Sequence, residues 1–263
     1  MVIKDPFTDP PPAEVALANA PLVRVIAQLR FPLVASIEQR EFIAPFQEAI
    51  RATYPILRQE QTQQLLFGAN IAPSVRSTNT AWRFNSEDGH WRVSLTSDFL
   101  ALETTKYASR NDFLKRLEMV VTALAAQIDP KLIDRLGVRY IDRISGDALA
   151  EIGKLVRPEV RGLIGGPASA SVSHSITETI FTKDDVQALV RWGQLPPHVT
   201  VDPAAIEPSE LPSWILDLDM FSSKPMPFSV EGVIADARRY MERLYTFFRW
   251  AVTDDFLRHF GGK

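Results

Sequence analysis

The 263-residue chain contains no cysteine. Disulfides, thiolate nucleophiles and cysteine-ligated zinc are therefore excluded. Long apolar runs are missing too: no stretch of about 18 uncharged apolar residues occurs, so no membrane-spanning helix is expected. The opening MVIKDPFTDPPPAEV carries no apolar block after its charges, so no secretory signal is expected and a cytoplasmic setting is the default. Neither sign of charge dominates, with 29 Lys and Arg against 32 Asp and Glu for a formal net charge of −3. No global basic field recruits nucleic acid or an anionic membrane, although a local basic patch stays open.

Nucleotide and nucleophile signatures are equally sparse. There is no G-x-G-x-x-G, P-loop or G-x-S-x-G phrase, and GLIGG at Gly162–Gly166 lacks the lysine and helix start of a phosphate cradle. The four histidines, His90, His174, His198 and His259, are isolated from one another. Only Asp255 and His259 share a helical turn, a spacing more typical of a solvated pair than of a metal site. No cofactor or resident metal is expected.

What is present is an ordinary globular composition, 46% hydrophobic and 23% charged, enough for a sizeable core. Val23–Phe31 alternates as a half-buried strand, with Val23, Val25, Ala27, Leu29 and Phe31 on one side and Arg24, Ile26, Gln28 and Arg30 on the other. Ser36 and Gln39 read as a capping box before a helix carrying Phe42, Ile43, Phe46 and Ile50. Strands are expected at Gln63–Phe67, Ala81–Phe84, Trp91–Ser97 and Phe99–Tyr107, with Asp88-Gly89 as a hairpin signal. Ser109 caps the next helix. After Asp129-Pro130 the order restarts: the strand LGVRYIDRIS, a short helix in GDALAEIGKLV, strands at Ser171–Phe181, Val186–Gln194 and Trp214–Phe221, and a long helix capped by Ser229.

V-R-V-I at Val23 thus matches V-R-Y-I at Val138 in both phrase and place. The expected architecture is α+β: duplicated β-α-β(3-4)-α units forming curved antiparallel sheet, with helices packed on one face. Residues 1–20 form an extended lead-in, 21–130 the first repeat and 131–263 the second. The second contains a proline-rich loop at 195–213, either mobile or a contact arm. The order looks like the tandem arrangement of TATA-binding-protein and helix-grip folds. The phrases NAPLVRVIAQLRFP, LTSDFLALETTKY and RLGVRYIDRI resemble those of a sporadically distributed, uncharacterised bacterial protein family of about this length. The resemblance implies a bacterial intracellular setting and one architectural unit; it carries no active-site residue.

Alternation sends Arg24, Arg30, Arg139 and Arg143 to the non-core sides of the matched strands, and Arg92 and Arg191 likewise on others. Glu103, Asp217 and Asp219 share that side. The plain alternative is internal pairing of the arginines with Glu103, Asp142, Asp217 and Asp219. Because acids interleave with arginines, the expected role is a non-catalytic module that meets a protein partner, or a second copy of the chain, through a mixed polar sheet face. No membrane partner is expected, and an enzyme is disfavoured. A metal-dependent phosphohydrolase or nuclease using Asp217 and Asp219 is the alternative, and nucleic-acid binding through the arginines stands third. Read as surface groups, Asp217 and Asp219 should cost only about 0–1 kcal/mol to replace.

Overall fold

The computed structural model describes residues 3–68 and 71–262, with the backbone alone described between 62 and 79. The chain forms two compact units, Ile26–Leu136 with Ser223–Ala237, and Met1–Val25 with Gly137–Ser222 and Arg238–Lys263. Both are mixed α and β, with antiparallel meanders.

In the first unit, β1 (Leu22–Arg30, shared between the units) is followed by a short 3-10 turn and α1 (Arg40–Ile50). Strands β2 (Ile56–Gly68), β3 (Ile71–Asn85), β4 (Trp91–Leu95) and β5 (Phe99–Thr104) then form a meander, and α2 (Arg110–Gln127) closes the run. The strand order is β2-β3-β4-β5-β1. Register places Phe84, Val93 and Leu102 in one row and Trp82, Leu95 and Leu100 in the next, all of them buried. Helices α1 and α2 lie on this side: Phe46 meets Phe84 at 5.5 Å and Phe113 meets Trp91 at 5.7 Å between ring centroids. Such aromatic contacts contribute beyond area burial alone. The two-residue strand β6 (Leu132–Ile133) pairs with β11 (Met226–Pro227).

Local signals are met unevenly. Ser109 accepts from the Asp112 amide and so caps α2, satisfying one orphan donor of the first turn. The capping box at Ser36 and Gln39 does not form. Ser36 lies in the 3-10 turn Ala35–Glu38, and Gln39 precedes α1 without a side-chain bond. The expected short strands around Gln63 and Ala81 are parts of one long hairpin, β2–β3.

In the second unit, β7 (Arg135–Ser145, whose first two residues belong to the other unit) is followed by three single-turn helices. These are α3 (Asp147–Ala150), α4 (Ile152–Leu155) and α5 (Pro158–Arg161), where the sequence suggested one. A meander follows, of β8 (Ser175–Lys183), β9 (Val186–Leu195) and β10 (Ser213–Ser222), in the order β7-β10-β9-β8. The long helix α6 (Val230–Ala251) contributes Arg238 onward to this unit, and α7 (Asp254–His259) ends it. Ser229 accepts from the Gly232 amide at 3.1 Å, as a cap should. Phe247 of α6 meets Phe181 of β8 at 5.9 Å, placing the helix on the side of β8–β10 that carries the buried Trp214, Leu216 and Leu218.

The extended lead-in is strapped along α6 and α7. Arg243 donates to the carbonyls of Pro6 and Asp9, the Val15 amide donates to the Tyr245 hydroxyl, and the Asn19 amide donates to Phe260. Prolines at 6 and 10–12 keep that stretch out of helix or sheet, so its carbonyls stay available to side-chain donors, while Leu17 further on forms an antiparallel bridge with Gly262.

Candidate functional site

The expected site residues fall into two groups. Arg30, Arg92 and Glu103 belong to the first unit, and Arg24, Arg139, Arg143, Arg191, Asp217 and Asp219 to the second.

In the first unit, register sets Arg92 opposite Glu103 on the side away from the helices, and the two form an ion pair. Arg30 pairs instead with Asp98 at 2.7 Å, in the turn before β5, and both side chains are substantially exposed. The two pairs are separate: Arg30–Asp98 is a surface pair worth about 0–1 kcal/mol, whereas Glu103 is buried and only Arg92 reaches solvent.

The second unit holds a denser arrangement. Arg139 presents its guanidinium edge to Asp217: Nε donates to Oδ1 and Nη2 to Oδ2, each at 2.7 Å. Its remaining side, Nη1, donates to Asp202 at 2.6 Å. Opposite Asp217 in the β9 register sits Arg191, which binds Glu178 of β8 at 2.6 Å and approaches Asp217 at 3.5 Å. Two arginines thus meet three carboxylates. The Asp217 side chain is 2% exposed and Arg139 13%, so the fork is an internal strut. That corrects the expectation that Asp217 is a replaceable surface group. Burial opposes the Arg139 charge, but the hydrogen bonds and charges of Asp217 and then Asp202 outweigh it and hold the group above its ordinary range. Burial likewise opposes ionisation of Asp202, and the Arg139 bond and charge overcome it, lowering that carboxyl.

Asp202 comes from the proline-rich loop, which was legible as a loop but not in its destination. The loop is ordered by its own bonds: the His198 amide donates to Ser209 at 2.7 Å, and Thr200 Oγ1 donates to Ile206 at 2.7 Å. His198 adopts φ 61, a left-handed conformation that costs a non-glycine residue of order 1 kcal/mol. Ala205 and Ile206 are buried, and Arg143 donates to the Glu207 carbonyl. The loop is therefore a compact Ω-type cap carrying Asp202 to Arg139. Arg143 keeps a buried Nε without an acceptor, and burial lowers its affinity for a proton.

Asp142 does not join the arginines. It alternates to the opposite side of β7, that of Val138 and Ile144, and is 5% exposed. Burial alone pushes its carboxyl up to about 7.

Asp219 shares a side with Asp217 but is only half-buried. It begins a different surface. Asp219, Leu189 and Ile180 lie in one cross-strand row, and Phe221, Gln187 and Thr182 in the next. Leu189 and Phe221 are half-buried and Ile180 is 59% exposed. Sequence reasoning on charges overlooked these apolar groups, although the even-numbered positions of β8 share a side with Glu178. Among the described residues, no group of three or more His, Asp or Glu side chains converges as a metal site. Nor is any described helix long and apolar enough to cross a membrane. No family model matches the chain, and no curated protein matches it.

Proposed function

We propose that the chain is a non-catalytic interaction module, of a bacterial intracellular setting, that engages protein through the mixed polar side of β8–β10. The carrying observation is the juxtaposition on that side of a charge-compensated arginine cluster with the row Ile180 and Leu189 and the neighbouring Phe221. A nucleic-acid platform needs uncompensated cations aimed at phosphates; here Arg139 and Arg191 are committed to Asp217, Asp202 and Glu178. A hydrolytic metal needs open carboxylate oxygens, whereas both oxygens of Asp217 accept from Arg139. Apolar side chains rimmed by Glu178, Asp219, Gln187 and Thr182 are instead the chemistry of a protein interface, with an apolar centre and a polar rim. The common element order of the two units supports descent from one duplicated unit as part of this reading.

The test is capture on immobilised full-length chain, wild type against Leu189→Glu, with retained protein and retained nucleic acid quantified across a salt series. Protein retained by wild type and lost on Leu189→Glu supports the proposal. Nucleic acid whose retention falls steeply with salt, or protein retained equally by both chains, overturns it.

A further inference from the structure

Strand β8 is the terminal strand of its meander, hydrogen-bonded to β9 alone in the strand order. Its register with β9 runs unbroken from Ser175↔Gln194 to Lys183↔Val186, with no bulge, and its nine residues SITETIFTK contain no proline. Two of the devices that usually blunt a sheet edge, proline and a bulge, are thus missing from it. Glu178 is the one charge in its middle, and Phe7 of the lead-in packs on Phe181, on the helix side of the strand. The two-residue turn Asp184-Asp185, with Asp184 at φ 54, closes the hairpin on the Lys183↔Val186 pair. In such hairpins the closing pair is hydrogen-bonded and the pattern alternates from there. Ile176, Glu178, Ile180 and Thr182 therefore turn their backbone N–H and C=O groups outward, away from β9.

We infer that the partner at this surface is a second copy of the chain, added edge to edge through an antiparallel β8–β8 pairing centred on Ile180. The inference rests on the proposed function and names its partner. The strand is self-complementary in this register. Ile180 faces its own copy, which joins the Leu189–Ile180 row of one protomer to that of the other and covers a side chain that is 59% exposed in the monomer. Glu178 faces Thr182, whose hydroxyl can donate to the carboxylate, Thr179 faces Phe181, and Thr177 faces Lys183. No like charges oppose one another. Shifting the axis to Glu178 would set two carboxylates face to face, which is destabilising in a cross-strand pair. The Ile180 axis also falls on a residue whose backbone groups point outward, so both bonds of the central pair can form.

The absence of cysteine from the chain makes the test clean. Ile180→Cys places the only thiol of each protomer on the axis, where facing Cα atoms of a strand pair lie within disulfide reach. Under mild oxidation, Ile180→Cys should convert to a covalent dimer, while Leu33→Cys, exposed elsewhere, should not. Unmodified wild type should sediment with a concentration-dependent mass approaching that of a dimer, and Ile180→Lys should sediment as a monomer with wild-type circular dichroism. Wild type that stays monomeric across the concentration range, a dimer that survives Ile180→Lys, or equal cross-linking of Ile180→Cys and Leu33→Cys overturns the inference. Such a failure leaves the capture experiment untouched: a different protein lost on Leu189→Glu would sustain the interaction module without self-pairing.

Discussion

Asp142 gives a pH dependence that can be worked through in numbers. Its carboxyl is 5% exposed and is raised to about 7 from an ordinary 3.8, with burial as the sole cause. The folded chain therefore holds this proton over a range where the unfolded chain releases it. Stability from this group is fully present below the unfolded value, is lost as pH rises toward the folded value, and stays lost above about 7. At 1.36 kcal/mol per pH unit, the loss across that window is about 4 kcal/mol. Asp142→Asn removes the titration while keeping the shape. Asp142→Ala reproduces the residue at the matching position of β1, Ala27, which is fully buried. Urea unfolding of wild type and Asp142→Asn at intervals from pH 4.5 to 8.5 isolates the effect, because every other titrating group cancels in the difference. The variants should gain on wild type with rising pH, by a few kcal/mol at pH 8, and the gain should flatten beyond 7. Difference curves that run level across the whole range would refute the reasoning.

Other outcomes follow from the same packing. Asp217→Asn leaves the Arg139 guanidinium without its forked partner, and breaking a buried pair from one side should cost about 3–5 kcal/mol in denaturant unfolding. Arg30→Ala, at an exposed pair, should change stability by no more than about 1 kcal/mol in the same assay. Asp202→Ala should release the proline-rich loop from Arg139, giving faster cleavage between 196 and 212 in limited proteolysis, at a global cost of about 1–3 kcal/mol for the charged hydrogen bond lost. Gly193→Ala should lower the melting temperature sharply. Gly193 has φ 142, and an added Cβ would stand 1.8 Å from the Ser175 carbonyl oxygen, so β8 must move off β9.

Much of the architecture was legible because it rests on alternation. Val25, Ala27 and Leu29 are buried on one side of β1, and Trp91, Val93 and Leu95 on one side of β4, as period-two reading requires. The Glu178–Arg191 pair was also within reach. A two-residue turn at Asp184-Asp185 fixes the register, and these two residues then stand opposite each other. Asp142 was misassigned because an acid on a strand was grouped with nearby arginines, whereas parity sends it to the side of Val138 and Ile144. The Asp202–Arg139 contact was not legible, since it joins residues far apart in sequence through a loop whose return path no periodicity encodes. Capping box chemistry failed at Ser36 because a 3-10 turn consumes that segment before α1 begins.

Hydroxyl-radical footprinting of the full chain, read by mass spectrometry at dilute and associating concentrations and with any captured protein, reports which side chains become covered. Association through the mixed polar side of β8–β10 should lower oxidation of Ile180, Leu189 and Phe221 while leaving the exposed Leu33 and Leu163 unchanged. Unaltered oxidation at Ile180 and Leu189 in a demonstrably associated sample, with protection at Leu33 or Leu163 instead, would contradict the assignment of this surface.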